Sequence, residues 1–247
     1  MGVRLIAKDV DAEAFATEYS APVRRGLEGI HFLNTSIQKA AHNYAPGKKS
    51  GSVVGVPVAL ADRLTTVGLV SYVQSEVAES DSMTFFCIAR SGDANTSGGT
   101  RPGFFGTYTG LGADGGAADG IAMFFSGPGA IAVNGGYGNT AADKVFPRAS
   151  LSSADAAKWA LYVVIVGPTG ITFRDITNNR AATQTATSGL PRRRTLNKLR
   201  LGSLFQDFGG TCDLAVWQAH SVVLTEDEIS TTIADLRAYA LRKGIVV

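Results

Sequence analysis

Glycoside hydrolysis runs on two carboxylates facing one cleft, so the acidic residues are weighed first. Glu76, Glu79 and Asp81 lie close together in the chain. Positions 76 and 79 fall on opposite faces of an extended strand and do not converge on one substrate. Glu226, Asp227 and Glu228 are taken up by the start of a helix, described below. The three histidines, His31, His42 and His220, are scattered, and none sits in the strand-to-helix turn that exposes a nucleophilic serine. No catalytic residue is assigned, and the chain is expected not to be an enzyme.

Asp114, Asp119, Asp143 and Asn139 are hard oxygen donors on loop-like stretches, which suits calcium. Their spacing follows no calcium-loop pattern, and solvated turn residues are the preferred alternative. Cys87 and Cys212 sit in apolar, strand-like segments without metal-ligand spacing. They are buried small hydrophobes or, alternatively, a disulfide between distant strands. The glycine-rich stretch 91–120 lacks the lysine and the spacing of a phosphate loop. No metal and no cofactor are expected.

Sugars present C–H faces and hydroxyls, so they call for aromatic rings beside planar polar groups on loops. Arg101, Tyr108, Tyr137 and Asn139 fit that chemistry and are the candidate carbohydrate-binding residues. For Tyr137, set among Gly135, Gly136 and Gly138, the competing explanation is a tight turn carrying an incidental tyrosine. Arg192, Arg193 and Arg194, with Lys198 and Arg200, form a basic cluster. It is either a solvated loop ahead of a strand or a contact for phosphate or an acidic partner. A net charge of only +2 and the lack of interleaved aromatics favour the solvated loop. No nucleic-acid partner is expected.

The elements that must position these groups read as β. With 45% hydrophobic and 18% charged residues over 247 positions, the chain has the material for one large β domain. Its 29 glycines signal many turns. Short apolar runs bounded by turn residues predict strands at 53–58, 64–69, 70–77, 83–90, 103–108, 121–126, 159–166, 171–176, 198–204 and 212–219. Pro168 and Gly170 mark a tight hairpin between two of them. Trp159 and Trp217 lie inside such runs and are expected in the core. Thr225 and Glu228 form a capping box; behind it, Ile229, Ile233, Leu236 and Ala240 make one apolar stripe, so a helix over 225–243 is predicted to pack outside the strands. Residues 1–28 read as an N-terminal arm or docking segment, with a short helix over Asp11–Tyr19 broken by Pro22. The alternative is an extra element packed on the same domain. No apolar run is long enough to cross a bilayer, so membrane insertion is not expected. The N-terminus lacks an export leader, so synthesis in a cytoplasm without export is expected.

Several segments carry a resemblance. Leu201–Ser203 with Phe208–Trp217, Leu224–Ile229, and Trp159–Asn179 resemble the concanavalin A-like lectin/glucanase superfamily in its laminin-G-like form. Asn43–Pro57, Met83–Arg90 and Tyr239–Ile245 resemble such domains in bacteriophage tail and tail-fibre proteins. The resemblance spans about residues 30–247. It implies a mostly β, antiparallel jelly-roll sandwich over 29–247, with the C-terminal helix outside. It further implies a virion structural protein of the tail, baseplate or fibre, made in the host cytoplasm. Such a protein would assemble as a homo-oligomer, a trimer being favoured, with other virion proteins as partners and a host-surface glycan as ligand. A free carbohydrate-binding module is the alternative, with a glycan hydrolase behind it. The family's glycosidases carry Glu-x-Asp-x-Glu on one strand, a pattern this chain lacks.

Overall fold

A strand that is apolar at nearly every position has to be covered on both faces. Met83–Arg90 and Ala160–Gly167 are of this kind, and the computed structural model shows what covers them. It describes residues 16–93, 99–127, 129–152, 155–186 and 189–247. From the N-terminus these form β1 (Leu27–Phe32), α1 (Ile37–Ala41), β2 (Ser52–Val54), β3 (Val58–Ala59), β4 (Leu64–Val67), β5 (Tyr72–Ala78) and β6 (Met83–Arg90). Next come β7 (Gly103–Gly106), β8 (Gly110–Leu111), β9 (Ala117–Ala118), β10 (Ile121–Gly127), β11 (Ala130–Gly135) and β12 (Arg148–Leu151). The chain closes with β13 (Ala160–Gly167), β14 (Gly170–Asp175), β15 (Arg180–Thr185), β16 (Lys198–Leu201), β17 (Thr211–His220) and α2 (Glu226–Arg242).

Two antiparallel sheets face each other. One runs β15-β14-β13-β6-β17-β4-β3, with β1 also paired to β17, and the other runs β12-β11-β10-β7-β16-β5-β2. The expected antiparallel sandwich is thus the observed fold. Alternation along β6 shows the layering. Met83, Phe85, Cys87 and Ala89 point into the space between the sheets, whereas Phe86 and Ile88 point outward under α2. β13 divides likewise, with Tyr162 and Val164 inward and Leu161 and Val163 outward. Trp217 is fully buried at the centre, its ring 6.0 Å from that of Phe85 and 6.2 Å from that of Phe105. Both cysteines are buried free thiols. Among the described residues, no helix is long and apolar enough to cross a membrane.

Helix α2 lies outside, as predicted. Both halves of the capping box form: the Thr225 amide donates to Glu228 Oε2 at 2.8 Å, and the Glu228 amide donates to Thr225 Oγ1 at 3.3 Å. Ile229, Leu236, Tyr239 and Ala240 are buried against the outward face of the eight-stranded sheet. The hairpin marked by Pro168 and Gly170 joins β13 to β14.

Other expectations change. The strand predicted at 53–58 is two strands in different sheets, β2 and β3. Between them Gly55 takes a left-handed backbone, φ 65°, and a Cβ there would lie 2.2 Å from the Val70 carbonyl oxygen, so the chain turns from one sheet to the other. Trp159 is only partly buried, at the edge of the α2 cluster, with the Arg90 guanidinium 4.8 Å over its ring; it precedes β13 and lies outside the pleat that buries Tyr162 and Val164. Most of the helix expected over Asp11–Tyr19 lies outside the described residues, and 16–20 are not helical. From Tyr19 on, the segment expected as an arm packs on the domain. Tyr19 donates to Asp235 of α2 at 2.8 Å and meets Phe32 edge-on at 5.1 Å, and Ala21 and Val23 are buried beneath the same helix.

Candidate functional site

The outward face of the seven-stranded sheet carries a second, smaller apolar cluster, and this is where a surface cleft forms. On β10 the alternation sends Ile121, Met123 and Phe125 into the core, and Ala122 and Phe124 out. Neighbouring β7 has the sequence Gly-Phe-Phe-Gly, and both of its rings, Phe104 and Phe105, are in the core. Its two glycines leave room for the loop after β16 to lie flat on the sheet. A Cβ at Gly103 would sit 2.9 Å from Leu204 and 3.1 Å from Phe208, and one at Gly106 would sit 2.7 Å from Leu204. The loop therefore seats Phe208 beside Phe124, with ring centroids 4.7 Å apart.

Around this floor stand the walls. Tyr108 stacks on Phe146 at 5.1 Å and 12°, and meets Phe208 edge-on at 6.0 Å. The amide of Phe205 donates to the Tyr108 carbonyl at 2.7 Å, tying the two loops together. The Arg101 guanidinium lies 5.9 Å from the Phe124 centroid and 5.3 Å from that of Phe208. The Arg148 guanidinium lies 5.2 Å from Phe124. Asn134 steers the latter by accepting from Arg148 Nε at 3.3 Å while donating to the Phe146 carbonyl at 3.1 Å. Asp207 completes the rim, and the cleft measures about 120 Å³. It offers aromatic faces, two guanidiniums and a carboxylate, the groups that hold a sugar ring and its substituents.

Of the four residues singled out in the sequence, Arg101 and Tyr108 meet in this cleft. Tyr137 does not, and this corrects the expectation. Its ring is wholly buried, its hydroxyl donates to the Gly167 carbonyl at 2.8 Å, and Arg192 covers it at 5.1 Å. The glycines around it let its strand end tuck against the loop at 191–193, where Tyr137 forms β-bridges with Val145 and Arg192. Asn139 lines a different groove, and its amide donates to Asp143 at 2.9 Å. Phe124, Phe146, Arg148, Asp207 and Phe208 escaped the sequence analysis. Phe124 sits in a run that is apolar throughout, and only the register against β7 shows that it points outward.

The second groove, of about 440 Å³, is lined by the basic cluster. The expected solvated loop holds for Arg194 and Lys198, which are exposed, but not for Arg192 and Arg193, which are buried. Arg192 is buried and paired with equally buried Glu79 at 2.8 Å, and it donates to the Gly136 carbonyl at 2.5 Å. Glu79 also accepts from the Thr107 hydroxyl and from the Thr195 amide and hydroxyl. Arg193 pairs with Asp114 at 2.9 Å, which lowers the Asp114 carboxyl below its ordinary pKa, and Arg194 pairs with Asp81 at 3.1 Å. Arg192 and Arg193 turn inward onto carboxylates, whereas Arg194 and Asp81 pair at the exposed surface. The oxygen donors considered for calcium are engaged in the same way. Asp119 holds Lys144 at 2.6 Å, and Asp143 accepts from the amides and side chains of Asn139 and Thr140, which lowers its carboxyl well below the usual range. Among the described residues, no cluster of three metal-binding side chains occurs.

No family model matches the chain, and no curated protein matches it in sequence. Solved structures do match in fold. The receptor-binding domain of botulinum neurotoxin D is similar with a TM-score of 0.60 at 10% identity, over 86% of this chain and 54% of that one. The serotype D ligand-binding domain in complex with N-acetylneuraminic acid gives 0.58 at 10% identity, over 92% and 54%. Trypanosoma rangeli sialidase gives 0.57 at 12% identity, over 83% and 32%. The chain thus spans about half the length of the toxin domains it matches. At these identities the likeness defines the class of fold, a mostly antiparallel β-sandwich.

Proposed function

We propose that the domain is a glycan-binding adhesion module whose ligand sits in the Tyr108–Phe124–Phe208 cleft. The observation that carries this reading is the cleft itself: half-buried Tyr108 and Phe146 stand over the buried rings of Phe124 and Phe208, with arginines placed beside them. A pyranose lays its C–H face on such rings and directs its hydroxyls to the charged rim. A domain of similar fold that holds N-acetylneuraminic acid adds support. Binding without catalysis is supported by the single acid among the described residues lining the cleft, Asp207, where glycoside hydrolysis runs on two, and by the pairing of acids in the other grooves: Glu79 with Arg192, Asp114 with Arg193 and Glu76 with Lys198.

The setting we propose is a bacteriophage particle, with the module in a tail, baseplate or fibre and copies gathered about a three-fold axis. The segments that resemble phage tail domains support it. Mass spectrometry of purified particles is the direct check, and a chain absent from the particle would end the virion reading.

The glycan reading is tested by screening the full chain on a glycan array and measuring hits by calorimetry, beside Tyr108→Ala and Phe208→Ser. Wild type should bind, and Tyr108→Ala should lose about 1–2 kcal/mol of affinity with little change in melting temperature. Undiminished binding in both variants would place the site elsewhere, and a blank array would end the glycan reading.

A further inference from the structure

We infer that the ligand of this cleft is an acidic sugar, bound through a carboxylate that lies between Arg101 and Arg148. This rests on the glycan-binding reading above and names the class of sugar. Two guanidiniums address one ring: Arg101 and Arg148 both lie within 6 Å of the Phe124 centroid, and Arg101 also lies 5.3 Å from Phe208. A guanidinium within about 6 Å of a ring centroid is attracted to the aromatic face, and its planar fork of N–H donors matches a carboxylate.

Arg148 differs from the arginines held in ion pairs. Arg25, Arg63, Arg90, Arg174, Arg180, Arg193 and Arg194 each face a carboxylate. Arg148 is exposed and has no ion pair among the described residues; its one hydrogen bond there runs from Nε to Asn134 Oδ1, so the outer nitrogens face the cleft's surroundings unclaimed. The cleft therefore carries two guanidiniums against one carboxylate, Asp207, and Arg148 is in no ion pair with it.

Asp207 narrows the class further. It lines the same cleft, on a left-handed backbone of φ 65° that aspartate adopts more readily than most residues, and it is exposed. Its carboxylate accepts sugar hydroxyls and repels additional negative charge. One anionic group and several hydroxyls satisfy this rim, whereas a polyphosphate or a nucleic-acid backbone does not. The cleft's volume of about 120 Å³ suits one terminal ring seated by its face or by its acidic substituent.

The experiment compares matched pairs by calorimetry on the full chain: sialyllactose against lactose, and an oligogalacturonide against its methyl ester. At least one acidic member should bind about tenfold or more tightly than its neutral partner, and its affinity should fall as sodium chloride rises. Arg148→Gln, with its melting temperature checked, should shrink that ratio several-fold. Equal or tighter binding of the neutral members overturns the acidic class while leaving the glycan reading intact. An acid preference that survives both Arg148→Gln and Arg101→Gln overturns the assignment to these residues. A wild-type chain that binds no member of either pair, nor any sugar on the array, overturns the glycan reading itself.

Discussion

At the scale of single residues, the Glu79–Arg192 pair shows how a charge is kept inside a β-sandwich. Neither side chain is open to solvent; Glu79 accepts from Thr107 and Thr195, and Arg192 donates to the Gly136 carbonyl while its Nε is left without a partner among the described residues. Taking two charges out of water is costly, and the mutual attraction together with these bonds offsets much of that cost. The pair fastens the loop at 191–195 to the end of β5 and to the loop that carries Tyr108 one residue beyond Thr107. Removing one partner leaves the other charge buried alone. Arg192→Met should therefore destabilise the fold by about 3–5 kcal/mol, read as a shift in the urea midpoint. Glu79→Gln combined with Arg192→Met should recover part of that loss, since no charge then remains stranded. If the double variant is as unstable as the sum of the singles, the two residues are not coupled as described. Arg101 and Tyr108 were legible in the sequence because loop aromatics and loop arginines have few structural duties. Arg192 was not, because a run of three arginines carries no local mark of the distant Glu79 that draws one of them inward.

At the scale of elements, α2 is the part where local sequence and tertiary structure agree most closely. Thr225 and Glu228 cap the helix, Arg25 pairs with Glu228, and the stripe from Ile229 to Ala240 covers the sheet. Thr225→Ala should cost about 1 kcal/mol, measured by thermal or chemical melting. Arg25 and the Thr225 amide lower the Glu228 carboxyl from its ordinary 4.5 to about 2. A carboxylate whose pKa is depressed by folding contributes stability in full above its unfolded pKa, and that contribution fades as the pH falls toward the folded value. The gap in melting temperature between wild type and Glu228→Gln should thus narrow between pH 4.5 and 2; a gap that stays constant would mean that the charge is not what matters. The strands tell a different story. β6, β13 and β17 were legible from their apolar, β-branched and aromatic content. β15 (Arg180–Thr185) was not, because it is an edge strand with scarcely an apolar side chain, and an edge demands little of its exposed residues. β11 and β12 are rich in small residues and owe their place to the partners they pair with, which no local pattern reports. The candidate cleft inherits this difficulty, since it is assembled from β10, β12 and the loops on either side of β7, before β12 and after β16.

At the scale of the whole molecule, the N-terminal stretch bears on both the fold and the proposed assembly, and its described part, from residue 16 on, belongs to the fold. Tyr19, Ala21, Val23 and Leu27 lie against α2 and Phe32 and shield one edge of the outer apolar layer. Their loss would open that layer to water, and burying side chains of this size is worth about 1.5–3 kcal/mol each for the larger ones. A chain beginning at Gly29 should accordingly melt well below the full-length protein and tend to aggregate. A chain beginning at Ala16 keeps every one of these contacts and should melt with the full-length protein. What it lacks is residues 1–15, which include Val3, Leu5, Ile6, Val10 and Phe15, apolar groups that water disfavours and that a neighbouring copy would bury. If those residues hold copies together, light scattering should give the Ala16 chain the mass of a single subunit where the full chain has that of a trimer. The two truncations separate the alternatives. An Ala16 chain that keeps the full-length mass removes the first fifteen residues from assembly. One that melts early instead assigns them to the domain's own core, and the three-fold arrangement must then be sought on another surface of the sandwich.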